Sequence, residues 1–137
     1  MGEVRVKVKL TNGMDNALVL SGQLQPDKVR FYEADALVDT GAVSSVIPTY
    51  VVQHLGLAIR GQRVAEYADG RRDVVDVTTS LIFDINGRDT ADEALVLGDE
   101  VLIGQTVLEK LDLLVDCANR RVVPNPAHPD QPVLKIK

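Results

Sequence analysis

Hydrophobic and polar positions alternate strictly near the start of the chain. In EVRVKVKL, Val4, Val6, Val8 and Leu10 fall on one face and Arg5, Lys7 and Lys9 on the other. A period of two predicts a half-buried strand with a charged outer face. Asn12-Gly13 follows, a strong tight-turn signal, so NALVLSGQL is expected to return as the second strand of a hairpin. Residues 29–38, VRFYEADALV, predict another strand, whose closing apolar run points to burial on both faces. Pro48 at a helix-start position and Gly56 at a stop position bracket a short helix in PTYVVQHLGL.

The segments IRGQRVAEY and DVVDVTTSLIFDI flank Ala68-Asp69-Gly70, and the Asp-Gly pair marks a hairpin tip. Asn86-Gly87 makes the next turn, and EALVLGDEVLIG holds two short apolar runs broken at Gly98-Asp99. QTVLEKLD spaces Val107, Leu108 and Leu111 on one helical face, and LLVDCANRRVV forms a last hairpin. From Pro124 onward, four prolines in nine residues preclude a regular element, and PVLKIK closes the chain as a candidate edge strand. The expectation is a mostly-β chain with one or two short helices. It comprises a single domain over residues 1–123 and a proline-rich tail over 124–137.

Composition narrows the function. The 137 residues suit one domain with a real core. A net charge of −5 argues against nucleic acid as a partner, because neutralising a phosphate backbone needs a basic face. No run approaches the roughly 20 apolar residues of a membrane helix, and MGEVRVKVKL lacks the apolar core of a signal peptide. The single cysteine, Cys117, has no internal disulfide partner and is expected to be a small buried residue. These features set the expectation of a cytoplasmic protein with no membrane association.

Candidate chemistry concentrates in ALVDTGA at 36–42. An aspartate that ends a strand before glycine most often caps a turn through nearby backbone amides. Three features favour chemistry at Asp39 instead. Thr40 is β-branched, poor in a tight turn yet able to donate a hydroxyl. Gly41 permits close approach of a substrate or another backbone. The preceding apolar run is expected to bury the surroundings of the carboxylate. LLVDCAN at 113–119 echoes the pattern, but Cys117-Ala118 replaces Thr-Gly and Asp116 is expected to be structural. His54 and His128 have no cysteine or carboxylate at ligand spacing, so no metal is expected.

ALVDTGA, the helix entry SSVIP, the hairpin tip ADGRR, VLIGQTVLEKL and LLVDCANRRVV together resemble the retropepsin-like aspartic proteases over about residues 30–123. The Asp-Thr-Gly triplet alone has low specificity. Its ordered pairing with Leu102-Ile103-Gly104, a hydrophobic-hydrophobic-Gly motif running into a helix, is far more specific. The resemblance implies the acid-protease fold, a closed β-barrel with a flap hairpin. It implies Asp39 as catalytic acid/base, supported by Thr40, Gly41 and Ala42, with Tyr67, Ala68, Asp69 and Gly70 forming the flap over substrate.

Two carboxylates about 3 Å apart cannot both ionise, so one activates water while the other polarises the scissile carbonyl. With one Asp-Thr-Gly per chain, the resemblance implies a homodimer that places two Asp39 residues on a two-fold axis. Thr40 would bond across that axis. Ala42, where pepsin-like enzymes carry serine, implies a working pH nearer neutral. The implied substrate is a peptide or protein strand, with no cofactor. The competing reading is a catalytically silent dimerisation or peptide-binding module on the same fold.

Overall fold

The computed structural model describes residues 2–136. The opening alternation becomes β1 (Arg5–Asn12), with Val8 and Leu10 buried and Lys7 and Lys9 in solvent. The segment after Asn12-Gly13 is not the expected strand but a helix, α1 (Gly13–Leu20). Asn12 acts as its cap: the side-chain oxygen accepts the Asp15 N–H at 3.0 Å, and its amide donates to the Leu55 carbonyl at 2.8 Å. Asp15, in the first turn, is gripped by the Arg30 guanidinium through two bonds of 2.9 Å. A continuous apolar run such as ALVL fits a strand or a helix equally well, and these tertiary bonds select the helix.

A 3-10 turn at Pro26–Lys28 leads to β2 (Phe31–Val38), antiparallel to β1 with Val8 opposite Ala34. Only Ala36 of β2 is fully buried, contrary to the expectation of burial on both faces at its end. β2 has β1 along its whole length, but a second neighbour only at Leu37 and Val38. Next come β3 (Val46–Ile47) and α2 (Thr49–Leu55), which stops at Gly56 in the left-handed region, φ 62°.

β4 (Ile59–Glu66) and β5 (Arg72–Thr78) make the expected hairpin. The DVVDVTTSLIFDI run divides at Thr79-Ser80, and β6 (Leu81–Ile85) pairs with β1 and with β7 (Arg88–Asp92). Asn86 and Gly87, both with positive φ, turn the β6–β7 hairpin. The chain continues through β8 (Leu95–Val96), β9 (Leu102–Ile103) and α3 (Gln105–Leu111), then a separate hairpin of β10 (Leu113–Asp116) and β11 (Arg121–Pro124).

Nine strands form one mixed sheet in the order β4-β5-β8-β3-β9-β2-β1-β6-β7. The class is mostly β, with three short α-helices among the described residues rather than one or two. No ladder among those residues joins the two ends of the sheet, β4 and β7. The core gathers Leu10, Ile47, Phe83 and Ile103 from the sheet, closed by Leu55 of α2 and Leu108 of α3. Each such side chain contributes about 1.5–3 kcal/mol on burial. Residues 125–136 carry no strand, so PVLKIK forms no ladder within the chain over those residues. No helix among the described residues is long and apolar enough to cross a membrane.

Candidate active site

β9 positions the Asp39 loop from both sides. It lies parallel to β2, pairing Leu37 with Leu102 and Val38 with Ile103, and antiparallel to β3 at Val46. The Asp39 N–H donates to the Ile103 carbonyl at 3.0 Å, fixing the end of β2 where the acid emerges. Beyond Gly104, the first amides of α3 reach the same loop: Gln105 N–H donates to the Ala42 carbonyl at 2.7 Å and Thr106 N–H to that of Val43 at 3.1 Å.

These contacts explain the hydrophobic-hydrophobic-Gly motif physically. Leu102 and Ile103 supply the ladder. Gly104 lies so close to the loop that a Cβ would stand 2.6 Å from the Ser44 carbonyl. Its N–H donates to the buried Ser45 hydroxyl at 2.9 Å.

Within the loop, Asp39 Oδ1 accepts the Gly41 N–H at 2.9 Å, and the Ala42 N–H donates to the Asp39 carbonyl at 3.2 Å. Asp39, Thr40 and Gly41 are exposed in the single chain, against the expectation of a buried carboxylate neighbourhood. The apolar run ends at Val38, and the turn lifts the acid out of the sheet to its surface.

The β4–β5 hairpin faces this loop. At its tip the Tyr67 N–H donates to the Arg71 carbonyl at 2.8 Å, and Gly70 takes φ 86°. The Tyr67 hydroxyl donates to Asp73 Oδ2 at 3.1 Å, and that bond pushes its titration above the ordinary phenol value. Arg71 stacks 4.3 Å over the Tyr67 ring. A groove of about 530 Å³ runs between loop and hairpin, lined among others by Asp39, Ala42, Val43, Val64, Tyr67 and Leu97.

Asp39, Gly41, Ala42, Tyr67 and Ala68 are thus brought together, while Asp69 and Gly70 stand at the exposed tip. Leu102, Ile103 and Gly104 lie beneath the loop as its support. Sequence reasoning missed Val43, Val64, Leu95 and Leu97 as walls of the groove. The period of two along β4, which sets Val64 and Glu66 on one side, was the available signal for Val64.

Other candidates fall outside this groove. Asp116 closes the β10–β11 turn, accepting both the backbone and side-chain N–H of Asn119, bonds that hold its carboxyl below the usual range. Cys117 is exposed on that turn rather than buried. His54 packs edge-on against Tyr32, and His128 contacts Asp112. Among the described residues no group of three or more His, Cys, Asp or Glu side chains is arranged to hold a metal.

No family model and no curated protein matches this chain. Solved structures do. The retroviral protease-like domain of Ddi1 from Leishmania major superposes with a TM-score of 0.56 at 15% identity, over 98% of this chain and 96% of that one. The fold is retropepsin-like. Two viral structures match in part, each at 22% identity over 56% of this chain. EIAV protease, complexed with the inhibitor HBY-793, aligns over 75% of its length at a TM-score of 0.49. A foamy viral protease-reverse transcriptase in complex with an RNA/DNA hybrid aligns over 10% of its length at 0.46. Within the retropepsin-like fold of this chain, Asp39 lies in the groove facing the β4–β5 hairpin.

Proposed function

We propose that this protein is a homodimeric aspartic endopeptidase in which Asp39 of each chain supplies half of a catalytic dyad. The observation that carries the reading is the placement of Asp39 in a groove whose opposite wall is the β4–β5 hairpin, with Tyr67 and Ala68 across from it. An extended peptide fits such a groove as an added strand, its side chains meeting Val43, Val64 and Leu97.

One chain brings one Asp-Thr-Gly to the groove, and general acid/base hydrolysis of a peptide needs both an anionic and a protonated group. A second chain related by a two-fold axis supplies the other carboxyl. The anionic Asp39 takes a proton from bound water as its oxygen attacks the carbonyl carbon. The protonated partner hydrogen-bonds the carbonyl oxygen and stabilises the developing oxyanion. The tetrahedral intermediate then collapses, the C–N bond breaks, and the departing amine takes the proton that Asp39 received from water. Thr40, exposed beside Asp39, bonds to the partner backbone, and Gly41 and Ala42 leave room for substrate. The β4–β5 hairpin acts as the flap.

The groove by itself also fits a second reading, in which it binds extended peptides without cutting them. Incubating wild type and Asp39→Asn with a denatured protein mixture over a range of pH separates the two. Fragments produced by wild type and absent with the variant support the protease. Equal binding with no fragments supports the binding module.

A further inference from the structure

The C-terminal tail, which the groove does not involve, is tied down at the far end of α3. Asp112 follows α3 in the left-handed region at φ 55°, with its carboxylate turned toward the tail. Oδ1 accepts the Asn125 side-chain N–H at 3.0 Å. Oδ2 takes both His128 Nδ1 at 2.6 Å and the Val133 N–H at 3.0 Å. Arg88, reaching from β7, donates to the Leu111 and Asp112 carbonyls and, at 2.7 Å, to the His128 carbonyl. One carboxylate thus gathers three separate points of an otherwise irregular tail. Leu134 and Ile136, just past the last of them, stand exposed at 61% and 91%.

We infer that the Asp112–His128 contact is a pH-sensitive latch that holds the C-terminal tail against α3 when the imidazole is charged and loosens it when the imidazole is neutral. Histidine is the side chain whose charge changes between about pH 5 and 8. The pair is only partly exposed, 26% for the imidazole and 13% for the carboxylate, so solvent screens it less than a surface pair. The charged groups shown against His128 are Asp112 at the end of α3, on the ring, and Arg88 from β7, on the backbone carbonyl.

The carboxylate remains the constant partner. The Asn125 amide first, then the Val133 N–H and His128, hold Asp112 below the usual carboxylate range, so it stays ionised where histidine titrates. A neutral ring donating from Nδ1 keeps a hydrogen bond but loses the charge that strengthens it. The Val133 amide, bonded to the same Oδ2, reports the change directly.

Amide hydrogen exchange on the full chain, corrected for intrinsic rates, tests the latch at about pH 5.5 and about pH 8.5. Protection of the Val133 amide is expected to fall about fivefold between the two, relative to the Leu37 amide of the central sheet. In His128→Gln, which keeps a donor without a titratable charge, the ratio is expected to be flat. An unchanged ratio in wild type overturns the inference, as does the same pH dependence in His128→Gln. Should that variant fail to fold, the wild-type ratio alone decides. No outcome depends on proteolytic activity, so the latch and the endopeptidase stand or fall separately.

Discussion

Gly104 donates its backbone N–H to the buried hydroxyl of Ser45 at 2.9 Å, and the same glycine leaves no space for a side chain beside the Ser44 carbonyl. This one residue joins the support strand β9 to the loop that carries Asp39. Gly104→Ala is expected to push the Ser44 backbone away and destabilise the fold by about 1–3 kcal/mol. Ser45→Ala leaves a buried N–H unpaired and is expected to cost a similar about 1–3 kcal/mol. Urea denaturation read as a shift in midpoint at constant slope checks both.

Asp15 is buried, while its partner Arg30 is about half exposed. Removing the carboxylate in Asp15→Ala takes away two bonds from the Arg30 guanidinium and one from its backbone N–H, and is expected to destabilise by about 2 kcal/mol. Because the pair anchors the start of α1 to the residue that leads into β2, exchange at the α1 amides should rise most.

Acid sensitivity follows from the same bonds. Asp15, held down chiefly by Arg30, Asp112, chiefly by Asn125, and Asp116, chiefly by Asn119, all ionise below the ordinary carboxylate value of 3.8. A depressed folded-state value means the unfolded chain binds protons more readily. The stability these groups add is therefore fully present above the ordinary value and lost as pH falls through the lower folded values. Thermal melting as a function of pH should decline on that acid limb, and less steeply in Asp15→Ala.

At the hairpin tip, Tyr67 donates to Asp73, which raises the pH at which the phenol ionises. Asp73→Asn removes the anion, and an ultraviolet titration should show the Tyr67 phenol ionising at lower pH than in wild type. An unchanged titration curve would contradict the contact.

The parts of this molecule legible in its sequence are those set by local backbone demands. Asn86-Gly87 turns where two positive φ values are needed, and Gly56 stops α2 in the left-handed region. ALVDTGA and Leu102-Ile103-Gly104 were legible together because the second supports the first through main-chain bonds and a missing Cβ. The parts that misled depend on distant partners. Asn12-Gly13 signals a hairpin until the Leu55 carbonyl, 43 residues on, claims the asparagine amide and Arg30 claims Asp15. The end of β2 looks buried until the short reach of β9 is known. Val43 and Leu97 as groove walls follow from the fold and not from any local motif.

The central claim is that Asp39 is half of an active site completed by a second chain. Titrating the Asp39→Asn variant into a fixed amount of wild type, with time for subunits to exchange, measures this most directly. If each site needs two aspartates, an equal mixture leaves roughly half of the wild-type chains in intact dimers, and peptide cleavage falls to roughly half. Excess variant should carry it toward zero. Cleavage that stays constant however much variant is added would mean that each chain works alone, and would contradict the account.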